Sequence, residues 1–202
     1  MTSEIPPATT VVVAEDEAVI RMDLTEQLRE LDFDVVGQCG DGAAAVELCS
    51  ELKPDVALLD ISMPGMDGLE ATRLISELGE TAVVILTAYS DRNLVEQAVT
   101  AGAMTYLVKP YSPSDLVPAL ELARQRFGEM RRLGDRVAEL SDDLAARKIV
   151  ERAKSRLMTA YGLSEVDAFR WLQKAAMDRR TTMVAVAETV LSGDSGEGSE
   201  SK

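Results

Sequence analysis

Asp60 closes the apolar run VALLD and opens the segment DISMPGMDG. Its company along the chain is that of a carboxylate that accepts a phosphoryl group. Glu15 and Asp16 end the run VVVAED, Thr87 ends AVVILT, and Lys109 stands in YLVKP. Carboxylates gathered in one place repel one another and need a cation, and two or three of them with backbone carbonyls and water suit octahedral magnesium. Magnesium neutralises an incoming phosphoryl group, Lys109 adds a point charge, and the Thr87 hydroxyl can bond a phosphoryl oxygen. Asp60 is then the nucleophile. Taken singly, each residue has a plainer reading, since strand-end acids and threonines cap helices and a lysine pairs with an acid. Their joint placement at strand ends favours the site.

The elements that must position these groups are legible. Each group lies just beyond a short β-branched or aliphatic stretch, as a buried parallel strand reads, and amphipathic segments of helical length separate the stretches. This alternation predicts a doubly wound α/β sheet, in which residues distant in sequence converge at the carboxyl ends of the strands.

Composition limits the remaining possibilities. The 202 residues exceed one ordinary domain, and the first part alone can bury a sizeable core. No apolar run approaches the roughly 18 residues of a membrane span, and MTSEIPPATT lacks the regions of a signal peptide, so no membrane association and a cytoplasmic location are expected. Cys39 and Cys49 have no metal-like spacing and read as buried free thiols. The chain has no histidine, which excludes a histidine-based zinc site or general base and requires the phosphoryl donor to be another molecule. Met1 to Glu121 holds 6 basic and 22 acidic residues, whereas Ala145 to Leu191 holds 9 basic and 5 acidic. A basic module behind an acidic domain points to a polyanion ligand for the module alone, although solvated helix faces are often basic too.

Residues 11 to about 126 resemble the receiver domain of bacterial two-component response regulators. The resemblance rests on Glu15 and Asp16, on Asp60 with Met63, Pro64, Asp67 and Gly68 behind it, on Thr87, and on AGAMTYLVKP with Lys109. It implies a flavodoxin-like, five-stranded parallel sheet over residues 10–126, phosphorylation of Asp60 by a sensor histidine kinase, and Mg2+ held by Glu15, Asp16, Asp60 and the Ser62 backbone carbonyl. It also implies that Tyr106 is a switch aromatic drawn inward with the Thr87 hydroxyl, and that the Lys109–Pro110 bond is often cis. The chain is then no enzyme, though it assists its own phosphotransfer and dephosphorylation.

A long helix is expected next, capped by Ser114, with Pro118 in its first turn and apolar residues at Leu116, Leu120, Ala123, Phe127 and Met130. Residues 127–146 form a linker in which Met130, Leu133, Val137, Leu140 and Leu144 alternate threes and fours, with a break of phase beside Gly134. This stripe suits either a coiled-coil dimer seam or packing on the helices that follow. Three short helices are expected after it. The first carries Ile149, Ala153 and Leu157, the second starts at Ser164 and buries Ala168, Phe169, Leu172 and Ala176, and Thr181 or Thr182 caps the third, with Val186, Ala187 and Val190. Residues 1–9 and the acidic tail 192–202 have nothing to bury and are expected to be disordered.

Residues 147–191 resemble the ANTAR domain, a small helical RNA-binding module of transcription antitermination regulators. The resemblance is carried by AKSRLM, GLSEVDAF and AAM, with Ser155 where the family usually has glycine. It implies a regulator that binds hairpin RNA in nascent mRNA leaders and prevents termination. Because the receiver surface that phosphorylation remodels borders the stripe from Met130 to Leu144, phosphorylation is expected either to promote a homodimer or to release the C-terminal module. The basic residues available for phosphates are Lys154, Arg156, Arg170, Lys174, Arg179 and Arg180. Trp171 reads either as core or as a platform for a base. The alternative is a regulator that binds DNA or acts through protein contacts, and the last helix, TTMVAVAETVL, has few side chains for reading base edges.

Overall fold

The structure is a computed structural model in which residues 8–88 and 92–193 are described. The disorder expected for residues 1–9 and 192–202 therefore concerns residues that lie almost wholly outside the described ones. Internal contacts divide the chain into two units, Met1–Arg132 and Leu133–Lys202.

In the first unit strands and helices alternate in the order β1 (Thr10–Ala14), α1 (Ala18–Glu30), β2 (Asp34–Cys39), α2 (Gly42–Leu52), β3 (Val56–Asp60), α3 (Gly68–Leu78), β4 (Ala82–Thr87), α4 (Arg92–Ala101) and β5 (Thr105–Val108). The strands form the expected parallel five-stranded sheet, in the order β2-β1-β3-β4-β5. Every residue of β3 and β4 is buried, whereas the edge strands β2 and β5 alternate between more and less exposed positions. The cause is position: central strands are flanked on both edges and covered on both faces, so an uninterrupted apolar run is the sequence that survives there.

The pleat sends alternate side chains to opposite faces. Val11, Val13, Leu58, Val84 and Leu86 meet Leu24 and Leu28 of α1 and Leu116, Leu120, Ala123 and Phe127 of the helix that follows β5. Val12, Ala14, Ala57, Leu59, Val83 and Ile85 meet Ala45 and Cys49 of α2, Ala71 and Ile75 of α3 and Ala98 of α4. Cys49 is buried and Cys39 partly so, both as free thiols, and burial pushes the Cys49 thiol up to about 12.

The helix after β5 departs most from expectation. A single helix, α5, runs from Pro113 to Tyr161 through the supposed linker and the supposed first C-terminal helix. No proline follows Pro118 within it, and glycines at 128 and 134 each cost only about 1 kcal/mol relative to alanine. Its start is set by Ser112 rather than Ser114: the Ser112 amide and hydroxyl both donate to the Asp115 carboxylate, at 2.8 and 2.6 Å. Pro118 consequently lies in the second turn, where its ring removes a helical hydrogen bond.

The second unit packs the end of α5 against α6 (Glu165–Arg179) and α7 (Met183–Ser192). Ala153, Leu157, Ala168, Leu172, Ala176, Val186 and Ala187 are its buried centre. Ser164 and Thr182 cap α6 and α7, accepting from the amides of Asp167 and Ala185. Phe169, expected in this core, is 41% exposed; the buried stripe of α6 runs through Ala168, Leu172 and Ala176, and the next residue round the helix falls on its flank. Met130, Leu133, Val137, Leu140 and Leu144 are all at least half exposed, so packing of this stripe on the following helices, one of the two readings above, is not what the fold does. Among the described residues no helix is long and apolar enough to cross a membrane.

Two glycines give opposite expectations. A Cβ at Gly68 would lie 2.0 Å from the Asp60 carbonyl oxygen, so Gly68→Ala should destabilise the first unit by about 1–3 kcal/mol or more in urea unfolding. Gly128, inside α5, has open space around its Cβ position, and Gly128→Ala should stabilise by about 0.5–1 kcal/mol.

Candidate functional site

The crossover of strand order at β1 and β3 opens a crevice at their carboxyl ends, where doubly wound sheets place their ligands. Glu15 and Asp16 lie just beyond β1, and Asp60 is the last residue of β3. Carboxylate oxygens of Glu15, Asp16 and Asp60 lie within 4.8 Å of one another. Glu15 and Asp60 are buried and Asp16 is exposed, so the cluster has a closed side and an open one. Gly68 makes the approach behind it possible, because the turn after Asp60 folds back until the Gly68 amide donates to the Ile61 carbonyl at 2.9 Å.

Lys109 compensates this charge. Its Nζ lies 2.6 Å from Glu15 Oε2 and 3.1 Å from Asp60 Oδ1. Burial alone would lower the Lys109 pKa, yet the bonds to Glu15 and Asp60 outweigh it and hold the ammonium above its usual value. Burial pushes the Glu15 carboxyl up, the Lys109 bond opposes this, and the neighbouring Asp60 carboxylate adds to the rise. The Lys109 amide donates to the Thr87 carbonyl at 2.7 Å, which ties the ends of β4 and β5 together, and the Lys109–Pro110 bond is cis. Thr87 is buried at the end of β4, Tyr106 is 41% exposed on β5, and Ser62 is exposed in the loop after Asp60.

The donor set fits magnesium. It is all oxygen, with three carboxylates and one exposed side through which waters would complete the shell of a hard cation. Sequence reasoning missed Arg21, whose guanidinium donates to the Glu15 carbonyl and, at 3.5 Å, to the Asp16 carbonyl. It braces the main chain of the acid pair and takes none of the carboxylate oxygens. The signal was the lone arginine one turn into α1, just behind the acidic run Glu15, Asp16 and Glu17.

The six basic residues expected on the RNA face of the second unit separate into two groups. Lys154 is buried, with Nζ 2.8 Å from Glu165 Oε1 and 2.9 Å from Glu151 Oε1. The hydrogen bonds to Glu165 and then Glu151 raise its pKa, so its charge is spent on tying α5 to α6. Arg156 donates to the Leu191 carbonyl at the end of α7, where a cation satisfies a terminal acceptor. Arg170, Lys174, Arg179 and Arg180 are exposed, and Arg180 adopts a left-handed conformation at the end of α6. Among the described residues Arg170 makes one ion pair, with Asp167 at 4.0 Å. Trp171 is 44% exposed, so it is not a core residue. Ser155 is exposed and its hydroxyl donates to the Glu151 carbonyl, so it crowds no neighbouring backbone.

Comparison with known proteins assigns both parts. Residues 11–121 match the response regulator receiver domain and residues 138–191 the ANTAR domain. The transcriptional regulatory protein PdtaR of Mycobacterium tuberculosis is 56% identical over 181 residues, covering 90% of this chain and 88% of that protein. The chemotaxis protein CheY of Thermotoga maritima is 36% identical over 111 residues, 54% of this chain and 92% of that protein. Among solved structures, the signal receiver domain of NarL from Mycobacterium tuberculosis superposes with a TM-score of 0.57 at 34% identity, covering 59% of this chain and 98% of that one. The matched ranges follow the division seen in the structure, a parallel-sheet unit and then a helical unit with its own core, and the chain belongs to the PdtaR-like response regulators that join a receiver to an ANTAR domain.

Proposed function

We propose that Asp60 accepts a phosphoryl group from a sensor histidine kinase in the cytoplasm, and that this controls binding of the ANTAR domain to hairpin RNA in nascent mRNA leaders, preventing transcription termination. The observation that carries the first half is the convergence of Glu15, Asp16 and Asp60 on one point, with Lys109 3.1 Å from Asp60. An Asp60 carboxylate oxygen attacks phosphorus as the donor's P–N bond breaks, and Lys109 pairs with the charge that arrives. Glu15, Asp16, Asp60 and the Ser62 carbonyl would hold Mg2+, which supplies neutralisation of the phosphoryl oxygens. The chain acts as acceptor rather than enzyme, its own residues assisting transfer and hydrolysis.

The second half is supported by the association of ANTAR domains with RNA binding and antitermination, and by the exposed cations Lys174, Arg179 and Arg180, which make no ion pair among the described residues. Phosphoryl charge beside Lys109 and Thr87 favours an inward Tyr106, which is exposed in this structure. The apolar stripe of α5 from Met130 to Leu144 has the spacing of a dimer seam, so self-association on phosphorylation would pair the RNA modules and raise their avidity.

Asp60→Asn should abolish labelling by acetyl phosphate or kinase, and Asp16→Asn should weaken Mg2+ binding; stoichiometric acid-labile phosphate on the Asp60 variant would overturn the acceptor assignment. In titrations with hairpin RNA, and with duplex DNA at matched salt as the control for the alternative reading, Arg179→Ala and Arg180→Ala should each weaken RNA binding and reduce the salt slope by about 1. Lys154→Ala should instead lower the melting temperature of the second unit, because it leaves Glu151 and Glu165 facing each other without their cation.

A further inference from the structure

The second unit contains an open groove of about 460 Å3 between α5, α6 and the start of α7. This is within the roughly 300–1,000 Å3 of sites that take small ligands. Its walls include Val150, Phe169 and Met183, and one edge is formed by Asp143, Arg147 and Glu151. The spacing of four residues puts these last three in a row along α5. Glu151 is engaged by Lys154. Asp143 and Arg147 are spaced for an ion pair with each other, yet among the described residues neither makes a side-chain hydrogen bond or ion pair. Phe169, left on the flank of α6 by the packing of Ala168 and Leu172, is the groove's half-exposed aromatic wall.

These features select among occupants. A phosphate would meet the free Asp143 carboxylate. An aliphatic side chain would cover Asp143 and Arg147 and leave both unpaired, at a cost in desolvation. A nucleobase meets every requirement: a flat face for Phe169 or the guanidinium plane of Arg147, and N–H donors on its edge for a carboxylate acceptor.

We propose that this groove takes one unstacked base of the RNA loop, stacked against Phe169 with Arg147 beside it and its N–H edge on Asp143. The proposal rests on the RNA-binding reading above and adds to it the place where sequence is read. Phosphate contacts by Arg179 and Arg180 position the RNA, whereas a base pocket discriminates.

The test uses the full chain and a hairpin RNA recovered from a pool with a randomised loop by retention on the wild-type protein. If no hairpin is retained above duplex DNA at matched salt, the RNA-binding reading fails and the groove with it. With a retained hairpin, Phe169→Leu should weaken binding about tenfold to a hundredfold, the range of a lost base–aromatic stack, without altering the salt slope. Phe169→Tyr should bind like wild type. Loop positions are then replaced by abasic nucleotides one at a time. At one position the abasic loss and the Phe169→Leu loss should not add, which identifies the base in the groove. Wild-type affinity for Phe169→Leu, or additivity at every loop position, would overturn the proposal. Arg147→Ala, at an exposed site, repeats the cycle should Phe169→Leu lower the melting temperature.

Discussion

Repulsion among three carboxylates is the constraint on which the receiver is built. Glu15, Asp16 and Asp60 are brought within 4.8 Å of one another in a chain whose first part is already strongly acidic. Such a cluster opposes folding unless cations reach it. Lys109 reaches the side chains and Arg21 the main chain. The two are not interchangeable: the ammonium is a point charge that competes for carboxylate oxygens, and the guanidinium spans two carbonyls and competes for none. The balance at Asp60 is therefore already close, and it rests on the attachments of Lys109 to Glu15 and Asp60.

The ANTAR domain resolves a similar conflict differently. Its cations have unequal duties, and burial distinguishes them. Lys154 is buried, with its ammonium held by two exposed acids, and joins helices, Arg156 terminates α7, and Arg170, Lys174, Arg179 and Arg180 are left exposed. A module this small has a core made largely of alanines, leucines and valines, so an ion trio linking α5 to α6 is a specific constraint on how the helices align.

The receiver was almost entirely legible because its information is local. A buried parallel strand demands a continuous apolar run, and the acid or hydroxyl at its end is the next letter; β1, β3 and β4 each read this way, and the half-exposed edge strand β5 is marked by the lysine that follows it. The second unit was less legible because helical pattern gives a face but not what the face meets. Phe169 and Ala168 are neighbours in sequence, and only the approach of α7 decides that the alanine is enclosed and the phenylalanine left beside a groove. Lys154 looked like its basic neighbours because Glu165, which holds it, lies across a turn. The continuity of α5 was hidden by Gly134 and a phase break, features that weaken a helix without ending it. Arg21 was passed over because its partners are backbone atoms, which no side-chain pattern announces.

The middle of α5 contributes to no core. From Glu129 to Ala145 every residue is exposed, while Leu116 to Phe127 belong to one core and Ala153 and Leu157 to the other. Order in this stretch is therefore conditional: it is sustained by propagation from two anchored ends, and helix without tertiary contacts is marginal in water. Anything that lays an apolar surface along Leu133, Val137, Leu140 and Leu144 would stabilise this segment more than any other part of the molecule. The segment is thus the place where the energy of an encounter would be converted into order of the one helix that the receiver and the ANTAR domain share.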